Sequence, residues 1–104
     1  MVLIRNLILM RYRFFPIFEM AQELKVPVML HPGEVPTEVA KTYYQGSWPV
    51  AVANVFAGHG IGWHYDAWVQ YMRMILSGIF DRLPNLQLIC GHWGELLPYY
   101  LTGW

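Results

Sequence analysis

Residues 66–95 read DAWVQYMRMILSGIFDRLPNLQLICGHWGE. Within 66–80, Trp68, Met72, Ile75, Leu76 and Ile79 recur at helical spacing and predict an amphipathic helix with these residues as its buried stripe. Asp66 stands near its start, and Arg82 and Pro84 follow its end as helix stops do. Residues 86–91, LQLICG, then form a short apolar run, the pattern of a parallel strand buried on both faces. His92 stands at the C-terminal end of that strand. A new helix is predicted near Glu95, with Pro98 in its first turns.

The same order appears upstream. Residues 14–25 predict a helix that buries Phe14, Ile17, Phe18, Ala21 and Leu24, with Pro16 suited to the first turn. Residues 26–31, VPVMLH, predict a second buried strand, which His31-Pro32-Gly33 ends. Residues 32–64 read as a long loop with one short helix around 36–44. Its aromatic residues (Tyr43, Tyr44, Trp48, Phe56, Trp63) predict an ordered loop. Residues 1–13 are apolar with scattered arginines, and strand, helix and displaced tail all fit them. Alternating helices and strands imply an α/β chain with parallel strands and right-handed crossovers. Two strands cannot form a covered parallel sheet by themselves, so the pattern suits a segment of a barrel or of an open α/β fold.

Composition agrees with an incomplete surface. The chain has 104 residues, of which 56% are hydrophobic and 13% charged. Soluble domains carry about 25% charged residues. A compact protein of this mass shows ~6,000 Å² of surface, more than seven basic and seven acidic side chains can cover. The chain is therefore expected to lie against, or belong to, something larger. Net charge is zero, so the basic footprint of a nucleic-acid binder is missing. One cysteine, Cys90, excludes an intrachain disulfide framework and fits a reducing, cytoplasmic setting. Arg5, Arg11, Arg13 and Arg73 interrupt the apolar stretches, so no membrane span is expected. The start, MVLIR, is a weak match to a signal peptide.

The residues with chemical potential lie at strand ends. His31 and His92 each stand where a strand hands over to its loop, the position of active-site residues in α/β barrels. A neutral imidazole there ligates a metal or shuttles protons. A strand-end histidine also serves as a plain cap, and the matched pair brings the two readings level. Glu95, three residues after His92, can turn back to orient the ring and raise its basicity. Acidic enrichment in a first helical turn explains it as well. His59 and His64, in GHGIGWH, could approach one metal, although ordinary loop histidines are the commoner case. The glycines there form no phosphate-binding fingerprint. Cys90, inside a strand, is expected to be inert.

The segments FFPIFEMAQELKVPVMLHPG (14–33) and ILSGIFDRLPNLQLICGHWGELLP (75–98) resemble the amidohydrolase-related family of metal-dependent (β/α)8 barrels. The resemblance covers residues 14–104 and points to the branch of aminocarboxymuconate-semialdehyde decarboxylase and the resorcylate-type decarboxylases. It implies a partial TIM-barrel domain over 14–104, holding about strands five and six with their helices, and it leaves 1–13 as an unassigned N-terminal segment. It implies that His31 is a ligand of the catalytic divalent metal, zinc or manganese. It further implies that His92 donates or accepts a proton and that Glu95 accompanies it. Loop 32–64 then helps shape the pocket for a small carboxylate substrate.

The implied parent is a decarboxylase. A hydrolase of the same superfamily and an inactive remnant or interaction module are the alternatives. A homo-oligomer is compatible with all of these. The family's first-strand ligand pair has no counterpart in 1–13, and its strand-eight aspartate has none here. A catalytic zinc site uses about three protein ligands, so this chain alone is expected to hold metal weakly or not at all.

Overall fold

The computed structural model describes residues 14–103, together with the backbone of Val2–Arg5. Strand β1 (Val2–Arg5) comes first, followed by helix α1 (Phe15–Glu23) and strand β2 (Val28–His31). Helix α2 (Thr37–Val39) runs into a π-helical turn, Ala40–Tyr44, and helix α3 (Val50–Val55) runs into another, Phe56–Gly60. Helix α4 (Gly62–Leu76), helix α5 (Ile79–Arg82), strand β3 (Leu88–Cys90), a 3₁₀ turn at His92–Gly94 and helix α6 (Leu97–Tyr100) complete the main order.

The strands form one parallel sheet in the order β1-β2-β3. Arg5 pairs with His31 across β1 and β2. Leu30 pairs with Cys90 across β2 and β3. Both histidines therefore leave the sheet at the same end, as the sequence predicted. Of the segment 1–13, Val2–Arg5 proves to be a strand, and 6–13 lie outside the described residues.

Alternation along β2 sets the layers. Val28 and Leu30 are fully buried against Phe18 and Ala21 of α1, Ala67, Tyr71 and Met74 of α4, Ile79 of α5, and Leu83 and Leu86. Met29 and His31, on the other face, are only half-buried. Ile89 of β3 is exposed. The strands are thus covered on one face, not on both as predicted, because no second layer packs on the Met29 side among the described residues.

Several element boundaries also shift. The predicted loop 32–64 is mostly helical: the short helix expected around 36–44 spans Thr37–Tyr44, and a second helical stretch runs from Val50 to a backbone break at Gly58. The helix predicted over 66–80 begins at Gly62 and ends at Leu76. Gly78, with φ of 77°, breaks it from α5. Its buried stripe is Ala67, Tyr71 and Met74, with Met72 beside it, while Ile75 and Leu76 are exposed. On α1, Phe18 and Ala21 are buried, but Ile17 and Leu24 are exposed. In both helices the sequence presents a wider apolar surface than this chain covers.

Candidate active site

The site is built where β2 and β3 end, and Tyr71 holds those ends together. Its hydroxyl donates to the Leu30 carbonyl at 2.9 Å and accepts from the Gly91 amide at 3.2 Å. Leu30 precedes His31, and Gly91 precedes His92. Tyr71 is completely buried, and that burial pushes its phenol well above the usual range. One neutral hydroxyl therefore satisfies two buried backbone groups and sets the spacing of the histidines. The His31 and His92 rings meet edge to face, with centroids 5.8 Å apart.

The backbone after β3 is unusual. His92, Trp93 and Glu95 have φ of 47°, 63° and 55°, and Gly94 between them has 87°. Left-handed non-glycine residues cost about 1–3 kcal/mol each and persist where surrounding contacts over-determine them. Here the contacts come from Glu95. Its side chain is withdrawn from solvent, with one oxygen on His92 Nδ1 at 2.7 Å and the other on His64 Nδ1 at 2.5 Å. The reversed turn brings the carboxylate back under the ring three residues before it, as the 92–95 spacing predicted.

His64 belongs to the site, although the sequence favoured an ordinary loop role for it. It lies in the first turn of α4, and its Nε2 faces the His59 carbonyl at 3.1 Å. The His59 ring packs on Trp63 instead, with centroids 6.0 Å apart, so His59 and His64 do not form the ligand pair considered from sequence. A separation of 31 residues hid the contact between His64 and Glu95. No local signal marked it, since His64 falls in the predicted loop, two residues before the helix predicted from 66.

Hydrogen-bond logic fixes the tautomers. Carbonyl and carboxylate oxygens only accept from these rings. His31 Nδ1 donates to the Pro32 carbonyl at 2.6 Å, which leaves the Nε2 lone pair for another group. His92 donates Nδ1–H to Glu95, which leaves its Nε2 for another group. A metal-ligating histidine characteristically donates its other N–H in this way, so His31 fits a metal through Nε2. His64, His92 and Glu95 also bring ligand-type atoms within 4.8 Å of one another. Cys90, whose thiol burial pushes upward, has the inert character expected of it.

Histidines and a buried carboxylate at the C-terminal ends of parallel strands occupy the position that active-site residues take in α/β barrel enzymes. The amidohydrolase family pattern matches residues 5–103, and the chain belongs to that family. It is 43% identical to decarboxylase orsB of Emericella nidulans over 78% of its own length and 24% of that protein. Gamma-resorcylate decarboxylase of a Polaromonas species is 33% identical over 84% of this chain and 24% of that protein.

Two solved structures share the fold. A Staphylococcus aureus protein classed as an amidohydrolase superposes with TM-score 0.95 at 40% identity, over 97% of this chain and 34% of that one. A Polaromonas dihydroxybenzoic acid decarboxylase with bound manganese and the inhibitor 2-nitroresorcinol gives TM-score 0.74 at 30% identity, over 89% and 26%. The chain thus spans about a quarter of the curated relatives it matches.

Proposed function

We propose that this chain is the catalytic histidine segment of a metal-dependent decarboxylase acting on a small aromatic carboxylic acid. The observation that carries the reading is the His92–Glu95 pair, held beside His31 at the ends of adjacent parallel strands. The names of the relatives supply the reaction class. In this reading β2 and β3 are strands five and six of a (β/α)8 barrel, residues 14–104 are a partial barrel domain, and the uncovered Met29–His31 face looks into the barrel.

His92 is the acid–base group. With Nδ1–H committed to Glu95, its Nε2 holds the proton that is delivered to the ring carbon bearing the carboxylate. That carbon forms a C–H bond and the C–C bond to the carboxylate breaks. The bonding pair returns to the ring to restore aromaticity, and carbon dioxide leaves. Glu95 holds the ring in register through that hydrogen bond.

His31 Nε2 would hold a divalent metal, which when bound supplies a positive charge for substrate oxygens. This chain's described residues supply only part of the three-ligand set that a catalytic zinc site uses. Imidazole suits zinc, whereas manganese is held chiefly by carboxylate, carbonyl and water oxygens, and metal analysis of the intact protein separates the two.

A panel of hydroxybenzoic acids and of simple esters and amides tests the proposal on the intact gene product. The decarboxylase reading expects carbon dioxide from the acids and no hydrolysis. Ester or amide cleavage without carbon dioxide would assign the protein to the hydrolases of the superfamily.

A further inference from the structure

We propose that His64 is a positioning residue for His92, acting through the Glu95 carboxylate. The kinetic part of this proposal rests on the decarboxylase reading above, and the structural part does not. Glu95 has no solvent-exposed side-chain surface, so each of its oxygens needs a protein donor. His92 supplies one and His64 the other. A carboxylate gripped at one oxygen can rotate about its terminal bond and release His92. Gripped at both, it cannot.

His64 is itself braced. Its Nε2 lies 3.1 Å from the His59 carbonyl, and its ring stands at 89° to His92 with centroids 5.5 Å apart. Both of its nitrogens face oxygens, a geometry complete when both carry hydrogen.

The distances favour this relay over a cation bound among the three side chains. Ligand atoms about 2.0–2.1 Å from a tetrahedral ion stand about 3.3 Å apart. The nitrogen–oxygen distances here are 2.5 and 2.7 Å, which are those of charge-assisted hydrogen bonds. His64 also comes from a different element, the start of α4, so it couples the segment before that helix to the turn after β3.

The test uses the intact protein with ¹⁵N-labelled histidine. The wild-type spectrum should show two low-field Nδ1–H signals, from His64 and His92, and Glu95→Gln should displace both. A Gln oxygen can replace one carboxylate oxygen, but its NH₂ group faces the second histidine as a donor.

His64→Ala should shift the His92 signal and lower kcat about tenfold or more, with KM and metal content held. His64→Asn, which keeps a nitrogen donor near the Nδ1 position, should restore kcat to within about threefold of wild type. An unmoved His92 signal with unchanged kcat in His64→Ala would overturn the proposal, as would an Asn variant no better than Ala. If His64→Ala does not fold, a wild-type spectrum without a His64 Nδ1–H signal overturns it equally. An intact protein that releases no carbon dioxide defeats the decarboxylase reading, while the spectra still decide the role of His64.

Discussion

At Tyr71 one hydroxyl links the packing of α4 to the placement of the site. It reaches Leu30 and Gly91, the residues before the two strand-end histidines. Tyr71→Phe keeps the ring and strands a buried carbonyl and a buried amide. The loss should be about 1–3 kcal/mol of stability, read by chemical denaturation. Burial raises the folded-state pKa of this phenol. Its contribution is therefore complete below the unfolded value of about 10 and declines as pH rises toward the folded value. Stability measured between pH 9 and 11 should fall more steeply in the wild type than in Tyr71→Phe.

The sequence disclosed His31, His92 and Glu95 because each is tied to a local feature: a strand end, a proline-glycine stop or an i, i+3 spacing. It did not disclose His64 or Tyr71 as site-building residues. Their partners lie 31 and up to 41 residues away, and the pairings exist only once α4 packs on the sheet.

Among the elements, α1 shows how local chemistry ends a helix. The Val26 amide reaches the Ala21 carbonyl at 2.9 Å and the Lys25 amide reaches Gln22 at 3.1 Å. This is a Schellman ending, in which the residue after the cap is left-handed. That residue is Lys25, with φ of 57°, where glycine is normal. Lys25→Gly should therefore stabilise the protein by about 0.5–1 kcal/mol, seen as a rise in Tm.

The start of α4 makes the opposite demand. A Cβ on Gly62 would fall 1.9 Å from the Ala57 carbonyl oxygen. Gly62→Ala must displace the first turn of α4, and His64 rides on that turn. The expected result is a change in the His64 and Glu95 signals larger than in the core around Met74.

β2 and β3 were legible as apolar runs and both long helices from periodicity, and the parallel order followed from their alternation; β1 was not, because residues 1–13 fitted strand, helix and tail alike. Within 32–64 the short helix around 36–44 was legible, and α3 was not. Pro49 caps the start of α3 instead of closing an element, and the helical stretch that follows is short, breaking at Gly58. The buried stripes were also misplaced, because apolar periodicity reports every face that is covered in the complete fold, whereas this chain covers only some.

For the whole molecule, the surface figures argue for that complete fold. The solvent-accessible area is 7104 Å², against about 6,000 Å² for a compact protein of this mass. The radius of gyration is 15.1 Å, where about 13 Å is usual for this length. Apolar grooves remain open on α1, lined by Ile17, Met20 and Leu24, and on α3, lined by Val52, Val55 and Phe56. Among the described residues no helix is long and apolar enough to cross a membrane. Prepared alone, the 104-residue chain should self-associate, with a sedimentation coefficient that climbs with concentration. A monodisperse monomer at high concentration would count against this reading of its surface.

The central claim is that His92 delivers the proton that replaces the carboxylate while His31 serves the metal. The most direct measurement is carbon dioxide release from a carboxyl-labelled dihydroxybenzoate by the intact protein, with metal content determined on the same samples. The wild type should release carbon dioxide, His92→Ala should release none at full metal content, and His31→Ala should lose both metal and release. Undiminished release by His92→Ala would contradict the claim.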